Sequence, residues 1–155
     1  LTEKASLLGD EQHRQLGIDL FNFTWTLIDK PDRSAEESDE MIHAAHASAY
    51  HWRQVGEPLN FARSDWLLSR VYALLERPEA ALYHAQRSLD TCLEKNIGDF
   101  DLAFAYEALA RAYAAAGLAV EAKAYLAQAR EAGQQIQEED DRQYFFAELK
   151  SITIP

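Results

Sequence analysis

Cysteine is almost missing from this 155-residue sequence: Cys92 is the only one. A lone thiol excludes an internal disulfide framework and fits a reducing compartment, so the sequence reads as cytoplasmic. Set in the helical run SLDTCLEKN, Cys92 reads as a packed thiol rather than a nucleophile. No apolar run approaches the roughly 20 residues needed to cross a bilayer. The N-terminal stretch LTEKASLLGDEQHR lacks the apolar segment of a secretory leader. Basic residues are the minority, with 15 Lys and Arg against 26 Asp and Glu and a formal net charge of −11. Such a charge repels nucleic acid and anionic membrane surfaces on average, so neither is expected as a partner. GxSxG, P-loop, HExxH and CxxC motifs are all missing. The sequence therefore points to binding rather than catalysis, and it implies no cofactor.

What is present is apolar residues at helical spacing. Hydrophobic residues make up 48% of the chain, enough for a sizeable core. The 6 glycines and 4 prolines fall between periodic segments. A first helix ends before Pro31. Ser34 and Glu37 form a capping-box pattern opening a second, which stops at Gly56-Glu57-Pro58. The run FARSDWLLSRVYALLE leads into Arg77-Pro78, and Pro78 suits the first turn of the next helix. Further helices are expected over DLAFAYEALARAYAAA, over roughly residues 119–136, and over the acidic DDRQYFFAELKSI. No window alternates as a strand would. The class is all-α.

Residues 68–88, LSRVYALLERPEAALYHAQRS, align without a gap with 109–129, LARAYAAAGLAVEAKAYLAQA. Leu68 matches Leu109, Arg70 Arg111, Tyr72 Tyr113, Ala81 Ala122, and Ser88 Ala129. The pattern resembles the tetratricopeptide repeat, in which a leucine and a small residue precede a tyrosine and further small residues follow at fixed offsets. It departs at Ala85, where the family usually has an aromatic. The resemblance covers about 62–135; a looser one is to a small bacterial family and implies no activity. It implies a right-handed stack of antiparallel helical hairpins. Residues 1–57 would be a diverged hairpin, 58–98 and 99–137 two repeats, and 138–155 a capping helix. Tyr144, Phe145, Phe146, Leu149 and Ile152 would close the last apolar face; left exposed, the same face would serve a homodimer.

The stretch MIHAAHASAYHW, residues 41–52, concentrates histidines and aromatics. On a helical wheel Met41, Ala45, Ala49 and Trp52 share one face, while His43 and Tyr50 lie opposite with His46 at the edge. The first helix also has two apolar faces, one with Leu16, Leu20, Phe23 and Leu27, the other with Ile18, Phe21, Trp25 and Ile28. Helices apolar on two sides are sandwiched, which places the first hairpin inside the stack. His43 and His46 are one turn apart, but the common two-histidine spacing is i, i+4 and a third ligand is needed. His84 and Asp65 would serve only if folding brought them near. A packed or groove-lining pair is the competing reading.

In the resembled family the first helix of each repeat lines the concave face. That implies Arg63, Trp66 and Arg70 there in one repeat, and Phe104, Glu107 and Arg111 in the other. Three arginines beside two aromatic faces locally invert the sign of the chain. Guanidinium groups clamp carboxylates and stack on rings. Alternatively, Arg63 and Arg70 pair with Asp65, Asp101 or Glu107, and Trp66 is core. The expected function is a scaffold binding a protein or peptide segment, acidic or C-terminal, across this groove, with His43 and Tyr50 at its edge. The alternative is a small-molecule or metal-binding protein using His43, His46 and Tyr50.

Overall fold

A computed structural model describes residues 7–155. Among them are seven helices and no strand: α1 (Asp10–Ile28), α2 (Ala35–Val55), α3 (Pro58–Leu74), α4 (Pro78–Glu94), α5 (Asp99–Ala115), α6 (Ala119–Gln134) and α7 (Glu139–Lys150). The boundaries follow local chemistry. Ser34 Oγ accepts from the Glu37 amide, and the Glu37 carboxylate accepts in return from the Ser34 amide, so α2 opens on a reciprocal cap. Pro58 and Pro78 stand in first turns, where a missing N–H leaves no helical bond unmade.

The helices form hairpins, α1/α2, α3/α4 and α5/α6, and the hairpins stack: α2 packs on α3, α4 on α5, and α3 also on α5. The 41-residue offset seen in the sequence is a structural repeat. Tyr72 lies parallel to His84, and Tyr113 lies parallel to Tyr125, 41 residues on. The Arg77 amide donates to Tyr72 O and the Leu118 amide to Tyr113 O, closing α3 and α5 in the same way. The residue that turns the chain out of the helix has positive φ in both, Glu76 (57°) and Gly117 (75°). Small residues bring the paired helices close. Ala81, Ala85, Ala122 and Ala129 are fully buried, and Ser69 and Ser88 donate to the Ala81 and Ala62 carbonyls of the facing helices. Burial with a satisfied hydroxyl carries no desolvation penalty of an unpaired polar group.

One expectation changes. Among the described elements α1 packs on α2, with only slight contact to α3, so the first hairpin ends the stack instead of lying inside it. Its face with Ile18, Phe21 and Trp25 stays partly open, with Ile18 39% exposed and Phe21 and Trp25 on a cavity. The helix α7 closes the end of the stack, as expected. Phe145 and Leu149 are buried in a cluster with Phe104, Ala129 and Ile136. A Cβ on Gly133 would meet the Phe145 ring at 2.3 Å, so only glycine lets α7 dock on α6 this closely. The apolar face of α7 is thus largely covered by the chain itself.

Candidate functional site

The expected groove residues lie on facing surfaces of α3 and α5, but in two different environments. Farther along α3, Arg70 Nη2 donates to Glu148 Oε2 of α7 at 2.6 Å, and Nη1 stands 3.5 Å from Glu107 Oε1. Arg111 Nε donates to the same Glu107 oxygen at 2.7 Å, and its Nη2 reaches Glu148 O and Ser151 Oγ. Glu107 is fully buried, and its Oε2 has no hydrogen-bond partner. Both arginines are therefore engaged inside the chain. Their partners are the Glu107 carboxylate of α5 and, at the end of α7, Glu148 and Ser151.

Arg63 differs. Its Nε and Nη2 donate to the two oxygens of Asp101 at 2.8 and 3.1 Å. This charge-assisted pair raises the pKa of Arg63, with the Asp101 hydrogen bond as the largest cause. Only one edge of the guanidinium is used. Nη1 has no protein partner among the described residues, and the side chain is 48% exposed.

Beside Arg63 opens a cavity of about 300 Å³ between α1, α3, α5 and α7. Its walls carry six aromatic residues: Phe21 and Trp25 of α1, Trp66 of α3, Phe100 and Phe104 of α5, and Tyr144 of α7. The rings brace one another. Trp66 lies 5.5 Å from Trp25 and 5.4 Å from Phe104 between centroids, and Phe104 lies 4.6 Å from Phe100. Offset and edge contacts of this kind fix ring orientation as well as bury area. Polar groups on the wall are few. Ser88 is already bonded to Ala62 O, and Arg63 and Asp101 answer each other. Burial, helped by Glu148, raises the pKa of the Tyr144 phenol, so it remains neutral at ordinary pH. A concave apolar site with one or two charged groups at its mouth is the usual form of a ligand pocket.

Sequence reasoning reached Arg63, Trp66 and Phe104 of this site and missed Phe21, Trp25, Phe100 and Tyr144. The i, i+4 spacing of Phe21 with Trp25, and of Phe100 with Phe104, put two rings on one helical stripe each. That was the signal available. Tyr144 carried none, because its place depends on how α7 folds back.

His43, His46 and Tyr50 are not at the edge of this cavity. His43 and His46 are exposed, and His46 and Tyr50 border a separate groove between α2 and α4, floored by another face of α3. His46 Nε2 bonds the Tyr72 hydroxyl at 2.8 Å. Burial first, then the nearby His84 and His43, lower its pKa. Folding does bring His84 and Asp65 near, with His84 Nδ1 2.8 Å from Asp65 Oδ1. No group of three or more His, Cys, Asp or Glu able to hold a metal ion occurs among the described residues. No helix among them is long and apolar enough to cross a membrane.

Comparison with protein-family models, with curated proteins and with solved structures returns no match. The tetratricopeptide resemblance rests on the chain's own residues and on its hairpin packing.

Proposed function

We propose that the protein is a non-catalytic, tetratricopeptide-like binding module, cytoplasmic, that takes a peptide segment of a protein partner at the cavity between α1, α3, α5 and α7. A bulky apolar residue enters among Trp25, Trp66 and Phe104. A carboxylate following it, the partner's C-terminus or an acidic side chain, bonds the unused edge of Arg63. The observation that carries this reading is the pairing of an aromatic-walled cavity with a guanidinium at its mouth that is only half engaged. A clamped arginine is pre-oriented by Asp101, so little of its rotamer freedom remains to be lost on binding. Arg70 and Arg111 stay with Glu107 and Glu148 and make no ligand contact.

Isothermal calorimetry with a peptide library tests it. Three versions of each sequence are compared: a C-terminal leucine or phenylalanine with a free carboxylate, the same residue amidated, and the amidated residue followed by aspartate. Affinity should fall about tenfold or more on amidation if the C-terminus is the ligand, because one charge-assisted pair contributes roughly 1.5–3 kcal/mol. It should recover with the aspartate if a side chain is the ligand. Peptides ending in serine should bind in neither form. Indifference to the apolar residue would remove the basis of the reading.

A further inference from the structure

The α2/α4 side of the molecule carries a second cavity, of about 380 Å³, with α3 as its floor. Its walls come from two different hairpins. His46, Tyr50 and Arg53 belong to α2, and Tyr83, His84 and Arg87 to α4. Asp65 is the one acid among the lining residues. It is 6% exposed and is held by His84 Nδ1 at 2.8 Å and by Arg87 Nε at 3.3 Å from each oxygen. Its charge is therefore answered from two sides. An ionised carboxylate can only accept, so the Asp65 contact fixes the His84 proton on Nδ1. The Nε2 edge has no partner among the described residues.

Two cationic groups retain donors. Arg87 uses Nε on Asp65 and one Nη1 contact of 3.5 Å to Tyr83, leaving Nη2. Arg53 has no carboxylate partner among the described residues, and its guanidinium sits 5.9 Å from the Phe61 ring centre. With neutral imidazoles, two arginines and one aspartate give this groove a formal charge of +1, in a chain whose net charge is −11. The rings Tyr50 and Tyr83, one on each wall, are 58% and 59% exposed. Aromatic side chains so open to water, flanking donors without acceptors, are an arrangement suited to a flat ligand bearing an anion.

We infer that this groove binds a small molecule made of a planar ring carrying a phosphate monoester. The three terminal phosphate oxygens suit donors arriving from two walls, Arg53 and Arg87. A carboxylate offers only two oxygens in one plane. The ring lies between Tyr50 and Tyr83. A ligand so held bridges α2 and α4, which meet across this groove through the His46 and His84 rings, 5.8 Å apart.

Phenyl phosphate is the probe, titrated at low ionic strength and followed by calorimetry and by backbone amide shifts. Inorganic phosphate, cyclohexyl phosphate and benzoate are run alongside. Phenyl phosphate should bind one to one, shifting residues of α2 and α4. Each of the other three should bind about tenfold more weakly or worse, since each lacks either the ring or the third oxygen. Arg53→Gln should weaken phenyl phosphate by about tenfold or more; Arg53 makes no ion pair among the described residues, so the fold is left intact. Arg63→Gln, in the other cavity, should leave it unchanged. The proposal is overturned if phenyl phosphate fails to saturate, if Arg53→Gln binds it equally, or if any of the three simpler anions matches it.

Discussion

Arg70 of α3 and Glu148 of α7 meet at 2.6 Å, although 78 residues separate them in sequence. This contact decides which arginines of the expected groove are open to a ligand. Glu148 also accepts through its backbone oxygen from Arg111, so one turn of α7 fastens both repeats. Between them stands Glu107, whose Oε1 receives both arginines.

Removing Glu107 should be costly. Glu107→Ala leaves Arg70 and Arg111, each with a side chain under one fifth exposed, facing each other without their shared anion. Breaking a buried pair from one side costs about 3–5 kcal/mol. Glu148→Ala removes one charged hydrogen bond and should cost roughly 1.5–3 kcal/mol. Urea unfolding of both variants and of the double variant checks this. The double variant should lose less than the two single losses together, because both residues serve Arg70.

Close packing between helices gives a second expectation. Ala81 and Ala122 have no exposed surface, so Ala81→Leu and Ala122→Leu should each destabilise by roughly 1–3 kcal/mol through overpacking. Gly133→Ala should do so by a similar amount of about 1–3 kcal/mol, since its new Cβ falls on the Phe145 ring. Thermal or urea midpoints unchanged in all three would show that the repeat packing is misplaced.

The hairpin order and the repeat were legible in the sequence because they rest on local signals. Ser34, Pro58, Pro78 and Gly117 mark ends, and Tyr72 with Tyr113 mark register. That α7 closes the stack was legible too, because Phe145 and Leu149 share one apolar face. How its end meets the repeats was not: nothing local says that Glu148 reaches Arg70. The candidate cavity was half legible for the same reason. Arg63, Trp66 and Phe104 lie on repeat helices, whereas Phe21, Trp25 and Tyr144 come from elements outside the repeat. The two-sided apolarity of α1 was read as a sandwiched helix; one of its sides instead borders a cavity.

The two positive-φ positions that close α3 and α5 differ in residue type, Glu76 and Gly117. A side chain with a Cβ in the left-handed region costs roughly 1–2 kcal/mol, partly offset in glycine by its greater freedom when unfolded. Glu76→Gly should therefore stabilise the protein by about 0.5–1 kcal/mol, and Gly117→Glu should destabilise it by about as much. Calorimetric melting of the two variants should move in opposite directions.

Stability should fall as the solution is acidified through the histidine range. His46 and His51 both have pKa values below the ordinary 6.5, chiefly through burial, with His84 and His43 acting on the former and His13 on the latter. Below pH 6.5 the unfolded chain takes up protons that the folded one resists. The unfolded state then binds more protons, and stability rises with pH across this window. Above it both states are neutral and the effect vanishes. Urea midpoints should be lower at pH 5.5 than at pH 7.5, and the His46→Gln, His51→Gln double variant should show a smaller difference.

Cys92 should be unreactive in the folded protein. It is 1% exposed, and burial, with Asp101 adding to it, pushes its thiol up to about 11. Little thiolate exists at pH 8, and the reagent has no access to what does. A chromogenic disulfide such as Ellman's reagent should titrate one thiol per chain in denaturant and almost none without it. Rapid titration of the native protein would mean that the α4–α5 contact opens freely.

The indole N–H resonances of Trp25, Trp52 and Trp66 test the central claim most directly. Trp25 and Trp66 face the aromatic cavity, while Trp52 is not among its lining residues. Titration with a short peptide ending in a free-carboxylate leucine should shift the Trp25 and Trp66 signals together and leave Trp52 in place, and Arg63→Gln should weaken that response by about tenfold or more. Peptide binding with Trp25 and Trp66 unmoved would place the ligand elsewhere and contradict the assignment of this cavity.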